Sequence, residues 1–161
     1  MFKDRQLTKN IRLAEMAVSY QYPEIAAGID FNELETTKLF YLCYFILQPT
    51  RDSFNEPFVI TSGKRTPTLN ELVGGVKESQ HVYCEAVDFT IKKTPLPVVF
   101  LWMHQYVRWH QLYIKIERKI PTLIHVSIAP ADGRYVERRA FALRDGVYVP
   151  FKEISDEPIF K

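Results

Sequence analysis

No stretch of this sequence is long and apolar enough to cross a bilayer. Its longest apolar run, Leu39–Leu47, falls far short of the roughly 20 residues that a spanning helix needs. The opening decapeptide, MFKDRQLTKN, has no apolar centre. The expectation is therefore synthesis in the cytoplasm without a signal peptide. Cysteine is scarce: Cys43 and Cys84 alone make no disulfide framework. Charge of one sign is lacking too. A net charge of +2 gives no case for a nucleic-acid partner, and the expected partners include neither nucleic acid nor membrane. Six glycines against ten prolines predict defined turns rather than loose linkers. No repeat and no low-complexity tract interrupts the chain. What remains is 161 residues, 47% apolar and 25% charged, which suits one domain, 1–161, with a real core.

Hydrophobic periodicity divides the chain into helices and strands. Asn32 is a candidate N-cap for a helix that turns apolar nearly all round after Leu39 and is ended by Pro49. FVITS (58–62) reads as a strand, and a short helix follows near 67–72. EAVDFTI (85–91) alternates: Val87, Phe89 and Ile91 share one face, and Ala86, Asp88 and Thr90 the other. Residues 95–107 read as a second buried helix with prolines at its start. WHQLYIKIE (109–117) and LIHVSI (123–128) alternate again, joined by a five-residue hairpin connection. RYVERRAFAL (134–143) and GVYVPF (146–151) close the chain as a strand pair around Asp145-Gly146. The Lys/Arg set at 134–144 reads as the solvated face of that pair.

The polar faces of these strands hold Asp88, Lys115, Glu117 and His125, and His81 lies just ahead of the Asp88 strand. Two histidines and a carboxylate form a donor set that zinc accepts, with a fourth position left for water. The plainer reading is a capped turn and a strand-end carboxylate. Spacing alone leaves both open. His104 and His110 read as structural or exposed. Tyr83 and Tyr113 suit a cleft lining and core packing equally.

The order of short motifs adds to this. LQPTRD (47–52), SGKRTP (62–67), LN (69–70), VGG (73–75), SQH (79–81) and CEAVD (84–88), then WHQLYIK (109–115) and LIHVS (123–127), follow one another along the chain. The series resembles the M15 family of zinc peptidases, above all its phage and bacterial branch of D-Ala-D-Ala carboxypeptidase-like and endolysin domains. The resemblance covers roughly residues 7 to 142. It implies that His81, Asp88 and His125 are zinc ligands and that Arg65 meets a substrate carboxylate. It also implies that Ser79 is a further substrate-side hydrogen-bonding group.

Two positions depart from the family pattern. Cys84 stands where the family has glycine. Positive φ there would cost about 1 kcal/mol, and a thiol turned to the metal would close the open coordination position. Lys115 stands where the family has its catalytic glutamate. Glu117, two residues on and on the same face of a strand, is the substitute candidate for the base; the competing reading is an exposed hairpin charge. The resemblance implies an α+β fold, a small antiparallel sheet with packed helices in the Hedgehog/D-Ala-D-Ala peptidase arrangement. It implies Zn2+-dependent hydrolysis of a peptide bond in peptidoglycan stem peptides. The alternative is a catalytically inactive scaffold serving as a phage virion or tail protein, or as a cell-wall-binding module. On either reading the expected place of action is a virion or the host wall at lysis, with other virion proteins as candidate partners.

Overall fold

The structure, a computed structural model, describes residues 2–133 and 137–161. A small hairpin of β1 (Gln6–Thr8) and β2 (Ile11–Arg12) precedes a short α1 (Pro23–Ala26) and α2 (Glu33–Leu42). A π-helical turn (Cys43–Leu47) joins α2 to α3 (Gln48–Phe54). β3 (Phe58–Ser62), α4 (Pro67–Leu72), β4 (Ala86–Ile91) and α5 (Leu96–Tyr106) follow. β5 (Gln111–Glu117), β6 (Ile120–Ser127), β7 (Arg139–Arg144), β8 (Val147–Pro150) and α6 (Phe151–Ile154) complete the order. The fold class is α+β, as expected. The main sheet has six strands in the order β3-β4-β6-β5-β7-β8. It is not wholly antiparallel, because β7 runs parallel to β5.

The alternation in the strands sorts the sheet into two faces. Val87, Phe89, Leu112, Ile114, Ile124 and Val126 are buried and meet Leu39, Leu42, Ile46, Val99, Phe100 and Met103 from the helices in one core. At about 25 cal/mol per Å² of apolar surface removed from water, this layer is the main stabilising term. The other face carries the polar side chains and lies open as a cleft.

The helix formed by α2 and α3 differs from its expected form in two ways. Its capping box is as the sequence implies: the Asn32 side chain accepts from the Glu35 N–H, and Glu35 returns a bond to the Asn32 N–H. Pro49 does not end it. The wide turn over Cys43–Leu47 absorbs the missing proline donor, and the helix runs on to a left-handed Asn55. Nor is it buried all round. Leu39, Leu42, Cys43, Ile46 and Leu47 face the core, while Phe40, Tyr41, Tyr44 and Phe45 stand exposed and stack on one another.

The hairpin between β5 and β6 is tighter than expected. Arg118 and Lys119 both take positive φ and form a two-residue turn, so β6 begins at Ile120 rather than Leu123. In the closing pair, residues 134–136 of the expected strand lie outside the described residues, and β7 starts at Arg139.

A single carboxylate pins the turn ahead of α5. Glu56 accepts from the backbone N–H groups of Lys92, Lys93 and Thr94 at 2.8, 2.5 and 3.1 Å, and from the Thr94 hydroxyl at 3.0 Å. Burial raises its pKa, but these bonds outweigh burial and leave it lowered. A depressed folded pKa means that the stabilisation is complete above the unfolded value and fades as pH falls below about 4.3. Thermal melts from neutral to acid pH are expected to show wild type losing more of its midpoint than Glu56→Gln, whose neutral side chain has no such dependence. Parallel curves would remove this role.

Candidate metal centre

Strand registry builds the site as one row across the sheet. Ser62 pairs with Asp88, Asp88 with His125, His125 with Tyr113, and Tyr113 with Phe141. Because side chains alternate, a row of paired residues points to one side. All five line the same cleft of about 1500 Å³.

His81 enters the row from above, on the turn-rich segment between α4 and β4. Its Nδ1–H donates to the Gly63 carbonyl at 2.8 Å, and its own carbonyl accepts from the Arg65 N–H at 3.1 Å. Gly63 is itself in close contact with the segment before α1: a Cβ there would sit 2.1 Å from the Met16 carbonyl oxygen, so any larger residue displaces the backbone that carries the His81 acceptor.

The result is a triangle of donor atoms. His81 Nε2 lies 3.2 Å from Asp88 Oδ1 and 3.2 Å from His125 Nδ1, and the third side, His125 Nδ1 to Asp88 Oδ1, is 2.7 Å. All three side chains are buried. Since Nδ1 of His81 carries its proton toward Gly63, Nε2 is a bare lone pair in the neutral ring. That lone pair faces a carboxylate oxygen with no hydrogen of its own to offer. A cation in the middle resolves the conflict. Tetrahedral zinc with bonds of about 2.0–2.1 Å to nitrogen and oxygen sets its ligands roughly 3.3 Å apart, close to two of the three sides. His125 Nε2 is buried without a hydrogen-bond partner among the described residues. The ring proton therefore has a place to sit when Nδ1 meets a metal. The residues present therefore fit a divalent metal.

Asp88 is an anion in this setting. Burial works to raise its carboxyl, but the two imidazoles beside it, His81 first, prevail and hold it well below the usual carboxylate range. Burial pushes His125 down against the opposing pull of Asp88, which favours the neutral ring. Tyr113 lies flat against His125, with ring centroids 4.4 Å apart and planes at 6°, and Phe141 stacks on its far side at 5.0 Å. With no hydrogen bond at Nε2 among the described residues, this stack sets the plane of the His125 ring. The alternation placed Tyr113 on the polar face but not beside His125; only strand registry supplies that contact.

Arg65 stands at the same point. Its Nη2 donates to Asp88 Oδ2 at 2.9 Å and its Nε to the Ser62 hydroxyl at 2.9 Å. Its other N–H groups remain available to an anion. Ser79 lines the same cleft, nearly buried. Glu117 is not brought to the triad. It sits where β5 turns into β6, two alternate positions beyond Tyr113, or about 13 Å along the strand, and it pairs with Lys115 at 2.8 Å. The register does slip between Lys115 and Ile116, but Glu117 still pairs with Ile120 at the hairpin end. A glutamate side chain is too short to bridge the rest. Lys115 is the nearer of the two, one alternate position from Tyr113.

Cys84 does have positive φ, 57°. Its side chain turns away from the triad into the hydrophobic core, where burial raises the thiol to about 12. Among the described residues, the one metal-competent group of three is His81, Asp88 and His125, without the cysteine. His104 rests against Trp109, Phe100 and Phe151 in an aromatic cluster, a structural role.

A family model described as Peptidase M15 matches residues 9–127, a span that includes every member of this site up to His125. No curated protein matches the chain.

Proposed function

Because the chain belongs to the peptidase M15 family, we propose that it is a zinc-dependent peptidase acting on the stem peptides of peptidoglycan. The observation that carries this reading is the buried triangle of two imidazole nitrogens and a carboxylate oxygen, each within 3.2 Å of the others. His81, Asp88 and His125 would hold the zinc. When bound, the metal supplies Lewis-acid polarisation of a carbonyl and acidification of water.

The protein's own groups do the rest. Arg65 fixes Asp88 and presents its remaining N–H groups to a substrate carboxylate, the geometry in which arginine is strongest. Ser79 adds a hydroxyl on the same wall. The Tyr113–Phe141 stack keeps the His125 ring in plane. Where a carboxylate base is expected, the cleft offers the Lys115 ammonium, so turnover is slow. Glu117 is the substitute base only if β5 shifts its rim inward on binding substrate.

A second reading rests on the Lys115–Glu117 ion pair. It makes the protein a silent member of the family that binds metal and wall peptide without cleaving it, as a virion component or wall-binding module. Elemental analysis of purified protein, with release of amino groups from isolated peptidoglycan, tests both. Near-stoichiometric zinc with slow release supports the peptidase. Zinc without release supports the silent binder, and absence of zinc removes both.

A further inference from the structure

We propose that the end of the cleft walled by Arg138, Arg139 and Lys152 is a subsite for a carboxylate on the peptide substrate, three to four residues from the bond held at the metal triad. This rests on the peptidase reading and specifies its substrate class. Arg139 pairs with Gln111 in the row next to Tyr113 and Phe141. Alternation therefore turns it to the cleft face, not to the solvated outer face that the Arg-rich sequence suggested. Arg138 lays its guanidinium over the buried Trp109 ring at 3.7 Å, which fixes its direction. Lys152 joins them from the first turn of α6.

Charge on the cleft wall is divided unevenly. Arg65 is matched by Asp88 and Lys115 by Glu117. The third carboxylate of the wall, Glu78, accepts from the Tyr83 hydroxyl at 2.7 Å. None of Arg138, Arg139 and Lys152 pairs with a carboxylate among the described residues. Among the described residues, one end of the cleft thus carries three cations without a matching carboxylate, and an anionic group complements it.

Distance sets the position of that group. From β6 to β7 is two strand spacings, about 10 Å, and the Arg139 row is one alternate position, about 7 Å, from the row of His125. The diagonal is roughly 12 Å, which an extended peptide covers in three to four residues.

The probe is a fluorescein-labelled pentapeptide, L-Ala-γ-D-Glu-L-Lys-D-Ala-D-Ala, made with its glutamyl α-carboxyl free or amidated. Binding to zinc-supplemented wild type is read by anisotropy at low salt. The free acid is expected to bind about five- to tenfold more tightly than the amide. The Arg138→Gln/Arg139→Gln pair should remove that ratio and leave amide binding unchanged, and 0.5 M NaCl should shrink it. Lys152→Gln, exposed and outside the Trp109 contact, gives a smaller loss and guards against misfolding of the double variant. Equal binding of the two peptides by wild type, or binding of neither, overturns the subsite. Cleavage of the same peptides at any bond is scored separately by mass spectrometry. Discrimination without cleavage leaves the subsite standing and retires the peptidase reading; cleavage without discrimination does the reverse.

Discussion

Saturating zinc is expected to raise the melting temperature of the metal-free protein by about 8–16 °C, and His125→Ala to abolish the rise. The size follows from linkage. A ligand at a thousand times its dissociation constant, bound only by the folded state, adds about 4 kcal/mol. A chain of this length gains roughly 2–4 °C per kcal/mol. The unfolded chain has no such site, because His81 and His125 are 44 residues apart in sequence and meet only once β4, which carries Asp88, pairs with β6 and the segment ahead of it folds over the row. The effect is large because the folded chain holds the three donors together and buried. His125→Ala also removes the face on which Tyr113 stacks, so its metal-free midpoint will fall for a second reason. Asp88→Asn separates the two. It keeps the volume and the stack, and it too should lose the zinc-dependent rise. A wild type indifferent to zinc in differential scanning calorimetry would mean that the triangle is a hydrogen-bonded cluster and no metal centre.

The parts of this fold that the sequence states clearly are those governed by local rules. Asn32 with Glu35 three residues on is a capping box in sequence and in space. Val87, Phe89, Leu112, Ile114, Ile124 and Val126 alternate in sequence and are buried in fact. What failed depended on partners distant in the chain. Nothing near Pro49 announces the π-helical turn that carries the helix past it. Nothing in β7 says that it will add parallel to β5, yet that pairing turns Arg139 into the cleft and sets Phe141 behind Tyr113. The side of Cys84 was equally illegible. A positive φ at that position was foreseeable from the glycine it replaces. The direction of its sulfur was not, since that depends on how the segment after α4 settles against the helices. Of the candidate site, the structure brings the triad and Arg65 into one cleft, whereas Glu117 is reached only by counting along a strand. Counting gives the face of a strand correctly but says nothing about distance from a neighbouring row.

That distance makes Lys115→Glu the most informative substitution in the cleft. Lys115 is one alternate position from Tyr113, about 7 Å along β5, and Glu117 is two. A carboxylate at 115 would face the triad from within reach of a bridging water, which is the setting a general base needs. Replacing Lys115 by glutamate is expected to raise kcat on the stem pentapeptide by about 10²–10⁴-fold, the usual worth of a positioned base. KM should move little, because the change acts on the transition state. Removing the ammonium should also tighten metal binding through the lost like-charge repulsion, a second readout independent of turnover. Lys115→Met isolates that electrostatic part: it should tighten metal without raising kcat to the same degree. Glu117→Gln is expected to leave kcat within about threefold, the scale of an exposed ion pair. If Glu117→Gln instead abolishes a measurable wild-type activity, the rim of β5 must move on substrate binding, and the bulge at Thr122 of β6, opposite Lys115 and Ile116, is where the pairing gives way.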